Sequence, residues 1–215
     1  MALIGAGKFS DSPITRMQFL ETQLGPVKAP SLRVASRIAN SLRAGHPVVD
    51  YEEFEDCELI LISVPDPMLA QIIGELSGAL NSWREKVVVA CSDHACCEQL
   101  AELASRGAAT GTLAAVPGYE ARWLLLEGEK AVERQVRPIL AQLRVTVIGA
   151  VQKQQYLDAL AGLGQQFLPC LKQASEGLRT AGIPGAEASE ILERQVVRTM
   201  RSHFRSGGMR PTNRK

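Results

Sequence analysis

Residues 57 to 64 read CELILISV, and residues 86 to 91 read KVVVAC. Each is a short apolar stretch, and the first is closed by Pro65 and Pro67. A strand with one wet face alternates apolar and polar residues, whereas an unbroken run marks a strand covered on both faces. Such strands belong to a parallel sheet with helices on either side. The rest of the N-terminal portion fits that pattern. Strands are predicted at Ala2–Ile4, SLRVAS (31–36), PVVD (47–50), TLAAV (112–116), WLLLEG (123–128) and RVTVIGAV (144–151). Helices are predicted over Pro13–Leu24, Arg37–Arg43, Met68–Leu80, Cys96–Arg106 and Glu129–Leu143. Ser12 is placed to cap the first of these, with Pro13 at its first position and Gly25-Pro26 as its stop. Strands alternating with helices of 10 to 15 residues are βαβ units, so the fold class is α/β with a mostly parallel, Rossmann-type sheet.

Beyond residue 151 the pattern changes. From Gln152 to Arg205 there is no strand signal. Tyr156, Leu160, Leu163, Phe167 and Leu171 fall mostly three or four apart, as on a helix face. AGIPG (181–185) breaks the helix, with Gly182 as its cap and Pro184 helping to start a second one over Ala186–Phe204. A two-helix unit of this size does not bury its own apolar faces and must pack on the first domain or on another chain. The expected organisation is therefore residues 1–151 as a nucleotide-binding domain and 152–215 as an all-α dimerisation and substrate domain.

With 215 residues, 46% of them hydrophobic, the chain has enough for one domain of ordinary size plus an appendage. A formal net charge of +1 makes no case for nucleic acid. No apolar run approaches the roughly 20 residues of a membrane span. Five cysteines, an odd count without framework spacing, point to a reducing compartment. With the first strand beginning almost at Met1, no targeting peptide is expected, and the expected location is cytoplasmic.

The chemistry concentrates at predicted strand ends. GAGKFS (5–10) follows the first strand. Gly5 suits the tight turn, and Gly7 lets the backbone approach a pyrophosphate. Ser10 stands where a third Gly or Ala is usual, and Asp11 adds like charge. The turn is thus either a cofactor site or a Rossmann turn without nucleotide. Ser36 and Arg37 end the predicted strand 31–36. No acidic residue lies between Lys28 and His46 to take a ribose 2′-hydroxyl, so NADP is favoured over NAD. SVPDP (63–67) ends the central strand at the ligand crevice. ACSDHACC (90–97) places Ser92, Asp93 and His94 at the same edge, as candidates for acid–base catalysis or as helix caps. His94-x-Cys96-Cys97 has poor spacing for a metal, and none is expected. Arg194, Arg198, Arg201 and Arg205 form a stripe on the last helix, which is either a solvated face or a contact for phosphate or an acidic partner.

LIGAG, VASR, SVPD, AAVPG and the segment DALAGLGQQFLPCLKQASEGLRTAGIP (158–184) together resemble the pyrroline-carboxylate reductase group and related NADP oxidoreductases. The resemblance implies an NADP-binding domain, a C-terminal helical domain that forms a homodimer, and a substrate site between the two. It implies that Gly5, Gly7, Lys8 and Phe9 form the diphosphate loop and that Ser36 and Arg37 hold the 2′-phosphate. Val64, Pro65 and Asp66 would lie near the nicotinamide, and Val116, Pro117 and Gly118 would face the substrate. Reductases of the group continue into a Ser/Thr- and Gly-rich segment that holds the substrate carboxylate. Here the sequence ends at SGGMRPTNRK, so proline synthesis is not expected. The expected activity is hydride transfer with NADP to or from an unidentified small molecule. The alternative is a non-catalytic Rossmann-fold dimer that senses a nucleotide or scaffolds a partner.

Overall fold

A computed structural model describes residues 1–7, 12–17, 23–119 and 122–205. The chain divides into two compact units, Met1–Leu157 and Asp158–Lys215. The first is built on eight strands: β1 (Ala2–Gly5), β2 (Pro26–Lys28), β3 (His46–Val48), β4 (Leu59–Ser63), β5 (Val87–Cys91), β6 (Ala109–Ala115), β7 (Trp123–Gly128) and β8 (Arg144–Ile148). Their order across the sheet is β3-β2-β1-β4-β5-β6-β7-β8. All neighbours are parallel except β6 and β7, which run antiparallel. The order reverses between β1 and β4, which makes the switch point at which open α/β sheets bind ligands.

β4 and β5 are buried along their whole length, as their unbroken apolar runs predict. Alternate residues of the strands feed two cores. Leu3, Val27, Leu61, Val89, Leu113 and Leu126 face one side, against α1 (Leu32–Leu42) and α4 (Lys130–Val136). Ala2, Ile4, Ile60, Ile62, Val88 and Ala90 face the other, against α2 (Asp66–Ala79) and α3 (Ala101–Ser105).

One predicted strand is corrected. SLRVAS (31–36) is the start of helix α1, capped by Ser31, whose hydroxyl accepts from the Val34 N–H at 3.3 Å. Ala35, Ile38 and Ala39 bury one stripe of that helix, a 3.6-residue period. The true second strand is the three-residue PVK at 26–28, where the sequence reading placed only a helix stop. The predicted helix over 13–24 is a 3-10 turn at Pro13–Arg16 followed by extended Met17, and residues 18–22 lie outside the described set. Ser12 does cap this turn, accepting from the Ile14 N–H.

The other unit consists of the greater part of α5 (Ala150–Thr180) and of α6 (Gly185–Arg205). Gly182, at φ +84°, closes α5, and Ala188 N–H donates to the Pro184 carbonyl as α6 starts. The first two turns of α5 belong to the sheet unit, which carries its boundary six residues past the expected 151. No described helix is long and apolar enough to cross a membrane.

Candidate functional site

The carboxyl ends of β1, β4 and β5 frame two cavities that share Ala6 and Val64. Between them lies the glycine turn. The Ala6 N–H donates to the Ser63 carbonyl at 3.0 Å and keeps the turn against β4. Gly7 has φ +78°, and a Cβ there would stand 3.2 Å from the Pro65 ring. The positive φ favours glycine here, and the close approach of Pro65 leaves little room for a side chain. Lys8, Phe9, Ser10 and Asp11 lie outside the described residues.

The first cavity, of about 240 Å³, is lined by Gly5, Lys28, Pro30, Tyr51, Gln71 and Glu75 among others. Lys28, the last residue of β2, donates to the Val49 carbonyl at 2.5 Å, and its ammonium lies 4.5 Å from the centre of the Tyr51 ring. The Tyr51 hydroxyl donates to Glu75 Oε2 at 3.1 Å, and Gln71 donates to the other oxygen at 2.8 Å. Burial, reinforced by the Glu75 carboxylate, pushes the Tyr51 phenol well above its ordinary range. It therefore stays a neutral donor at all working pH values.

Ser36 and Arg37 do not stand at this edge of β2. They occupy the second turn of α1, and the Ser36 hydroxyl is engaged with the Leu32 carbonyl at 2.9 Å. The 2′-phosphate role drawn for them assumed a strand ending at residue 36, and the strand ends at Lys28. The residues that follow that end are Ala29, Pro30, Ser31, Leu32 and Arg33.

The second cavity, of about 260 Å³, is lined by Ser12, Ser63, Val64, Pro65, Asp66, Cys91, Ser92, Asp93 and His94 among others. Here the structure gathers residues the sequence singled out from two separate strand ends. Ser12 and Ser63 share a hydrogen bond of 2.9 Å. The Ser92 hydroxyl donates to Asp66 Oδ1 at 2.5 Å and accepts from the His94 and Ala95 N–H groups. Asp93 accepts from the Ala115 N–H at 2.9 Å, which fixes the loop to the end of β6. Ser92 and Asp93 thus hold the loop and tie it to β6, and neither caps a helix, since the following 3-10 turn at Cys97–Leu100 has Cys96 as its cap. The thiol of Cys91 is pushed up to about 12, by burial first and then by the Asp93 charge, so it is no nucleophile here. Among the described residues no group of three His, Cys, Asp or Glu side chains comes together to hold a metal ion. A further cavity, of about 910 Å³, is a groove along α6 lined by Glu190, Arg194, Arg198 and Arg201. Arg194 pairs with Glu190 at 2.5 Å in the i,i+4 geometry of a solvated helix face.

A buried polar cluster stands beside the site, and the sequence reading missed it. Thr112 on β6 and Glu127 on β7 are cross-strand partners. Lys153, in the first turn of α5, has no exposed surface and donates to Thr112 Oγ1, with Glu127 Oε2 at 3.5 Å. The same carboxylate oxygen accepts from Thr112 Oγ1 at 3.0 Å and from the Cys97 N–H at 3.2 Å. Burial lowers the Lys153 ammonium from its ordinary range, and Glu127 pulls it partly back. Two signals pointed here: a lone carboxylate inside the apolar strand WLLLEG, and a cation in the first helical turn, where the dipole opposes it.

No protein-family description matches the sequence, and no curated protein does. Solved structures do match. A pyrroline-5-carboxylate reductase from Coxiella burnetii matches over all of this chain and 80% of its own, with 13% identity and a TM-score of 0.61. A reductive aminase from Aspergillus terreus, solved with NADPH and ethyl-5-oxohexanoate, covers 94% of this chain and 74% of its own at 16% identity and TM-score 0.68. A Mycobacterium avium protein described as an oxidoreductase covers 99% and 81% at 19% identity and TM-score 0.65. The chain has the fold of these reductases. At such identities the likeness speaks for the fold alone, and half-buried Val116 with exposed Pro117 and Gly118 leads here from β6 toward β7.

Proposed function

We propose that this protein is an NADP-dependent oxidoreductase acting on a small molecule. The observation that carries the proposal is the pair of cavities meeting at the switch point, with the cation of Lys28 at the end of β2. NAD-specific sites use a carboxylate there to bind the ribose 2′-hydroxyl, whereas a cation accommodates a 2′-phosphate. The bound cofactor would supply the hydride chemistry. In this reading Lys28 contacts the 2′-phosphate together with Ser31 and Arg33, which flank the start of α1. Tyr51 and Glu75 line the adenosine cavity. Gly5, Gly7 and the following Lys8 and Phe9 wrap the pyrophosphate. Val64, Pro65 and Asp66 bound the nicotinamide end, next to Ser92, Asp93 and His94. The homodimer through α5 and α6 is part of the same proposal.

Titration with NADPH and NADH, followed by cofactor fluorescence, tests it. NADPH is expected to bind, and Lys28→Ala is expected to weaken NADPH about tenfold while leaving NADH little changed. Equal losses for both cofactors, or no NADPH binding at millimolar concentration, would overturn the reading. The hydrogen-bonded Ser92 and Asp93 favour one rival, a Rossmann dimer that binds nucleotide without catalysis. NADPH binding without turnover of any carbonyl or imine would favour that rival.

A further inference from the structure

Trp123 opens β7, and it lies at the same edge of the sheet as the second cavity. The Val116 N–H donates to its carbonyl at 2.9 Å, just past the Ala115–Leu124 pair. Ala115 is also the residue whose N–H holds Asp93. Arg144, at the start of β8, pairs with Trp123 across the strands, and its guanidinium lies 3.7 Å from the centre of the indole ring. The indole is itself fixed. Its Nε1–H donates to Thr146 Oγ1 at 2.9 Å, and Tyr119 packs edge-on against it, with ring centroids 4.9 Å apart. Tyr119 is half exposed and Arg144 is exposed.

Among the described residues the Arg144 guanidinium has no ion pair and no hydrogen bond. The indole occupies its face, so what remains open is the planar fork of N–H donors, a match for a carboxylate in bidentate geometry. Cross-strand pairing puts Trp123, Glu127 and Thr112 on one face of the sheet, and Thr112 pairs with Ala90 of β5. Trp123 therefore stands about two strand spacings, roughly 10 Å, from the β5 end that carries Ser92 to His94, and the Arg144 backbone one spacing further.

We propose that Arg144, mounted on Trp123 and walled by Tyr119, binds the carboxylate of a flat substrate, an aryl or conjugated carboxylic acid. This identification of the substrate class rests on the oxidoreductase reading above. Tyr119, packed on the same indole, would supply an apolar wall for the planar part of the molecule. Trp123 holds the cation in place, so little side-chain freedom is lost when the anion arrives.

Calorimetric titration of the full chain with benzoate tests the site. Benzyl alcohol and inorganic phosphate serve as comparison probes. Benzoate is expected to bind in the millimolar range, Arg144→Gln to weaken it at least tenfold, and Arg144→Lys to recover only part of the loss. Benzyl alcohol is expected to bind far more weakly than benzoate. Unchanged benzoate affinity in Arg144→Gln, no benzoate binding at all, or phosphate binding as well as benzoate would each overturn the proposal. Circular dichroism of Arg144→Gln checks that the variant is folded, and Trp123→Leu is a second route to the same loss. NADPH affinity is measured on the same samples. Benzoate binding without NADPH binding overturns the oxidoreductase reading and leaves the anion site standing. The converse overturns the anion site alone.

Discussion

The Lys153 ammonium lies between Thr112 and Glu127 with no exposed surface, at the end of a helix whose dipole repels it. Removing one partner of a buried pair leaves the other charge without compensation in a poorly solvated place, whereas removing both leaves only an apolar packing problem. Lys153→Met and Glu127→Leu are therefore each expected to lose about 3–5 kcal/mol in urea unfolding, and the Lys153→Met/Glu127→Leu double variant less than the sum of the two. Additive losses would mean that the two groups are not coupled. Glu127 also holds the Cys97 N–H, at the start of the 3-10 turn that follows the loop of Ser92 to His94. Loss of the carboxylate is thus expected to disturb that loop as well, visible as altered chemical shifts of residues 92–97.

Helix α1 shows how capping converts an ambiguous stretch into a defined element. Ser31 satisfies the Val34 N–H at the start. At the other end Arg43 takes the left-handed conformation at φ +53°, a place that favours glycine. Ser31→Ala is expected to cost about 1 kcal/mol. Arg43→Gly is expected to raise stability by about 0.5–1 kcal/mol, since it relieves the left-handed strain. Equilibrium denaturation of the two variants checks both signs. The same helix explains the misplaced strand. Leu32, Ala35, Ile38, Ala39 and Leu42 are spaced for a helix, but the β-branched Val34 within SLRVAS resembles a strand when six residues are read alone. PVK at 26–28 is too short to carry any period, and only pairing with β1 and β3 makes it a strand.

For the molecule as a unit, thermal stability is expected to fall above pH 9. The thiols of Cys91 and Cys97 stand at about 12 in the fold against an ordinary value of 9.0, by burial first and then by Asp93 and Glu127 respectively. The unfolded chain therefore releases these protons first. The stability is fully present below about pH 9 and is lost as the pH rises from there toward 12. Cys91→Ala is expected to flatten the fall, read as Tm against pH. A slope unchanged by that substitution would count against the buried-thiol origin. Size-exclusion with light scattering tests the proposed dimer. A mass twice that of the 23.3 kDa chain is expected.

The layered α/β sheet was legible because burial on both faces makes β4 and β5 apolar at every position but Ser63, the last of β4, and that leaves an unmistakable local record. The turn at Gly5 to Gly7 and the break at AGIPG were legible for a similar reason, since dihedral demands act on the residue itself. Ser92, Asp93, Val64 and Asp66 were recognisable as residues at strand ends, yet their bonds to one another were not. Lys28 with Tyr51 and Glu75, Arg144 with Trp123, and Lys153 with Glu127 are pairs from different elements, brought together by strand order and by the antiparallel step at β6 and β7. Local physics writes backbone geometry and burial into neighbouring residues, but a partner many residues away leaves no mark on its pair. Topology alone decided which charges and rings would meet.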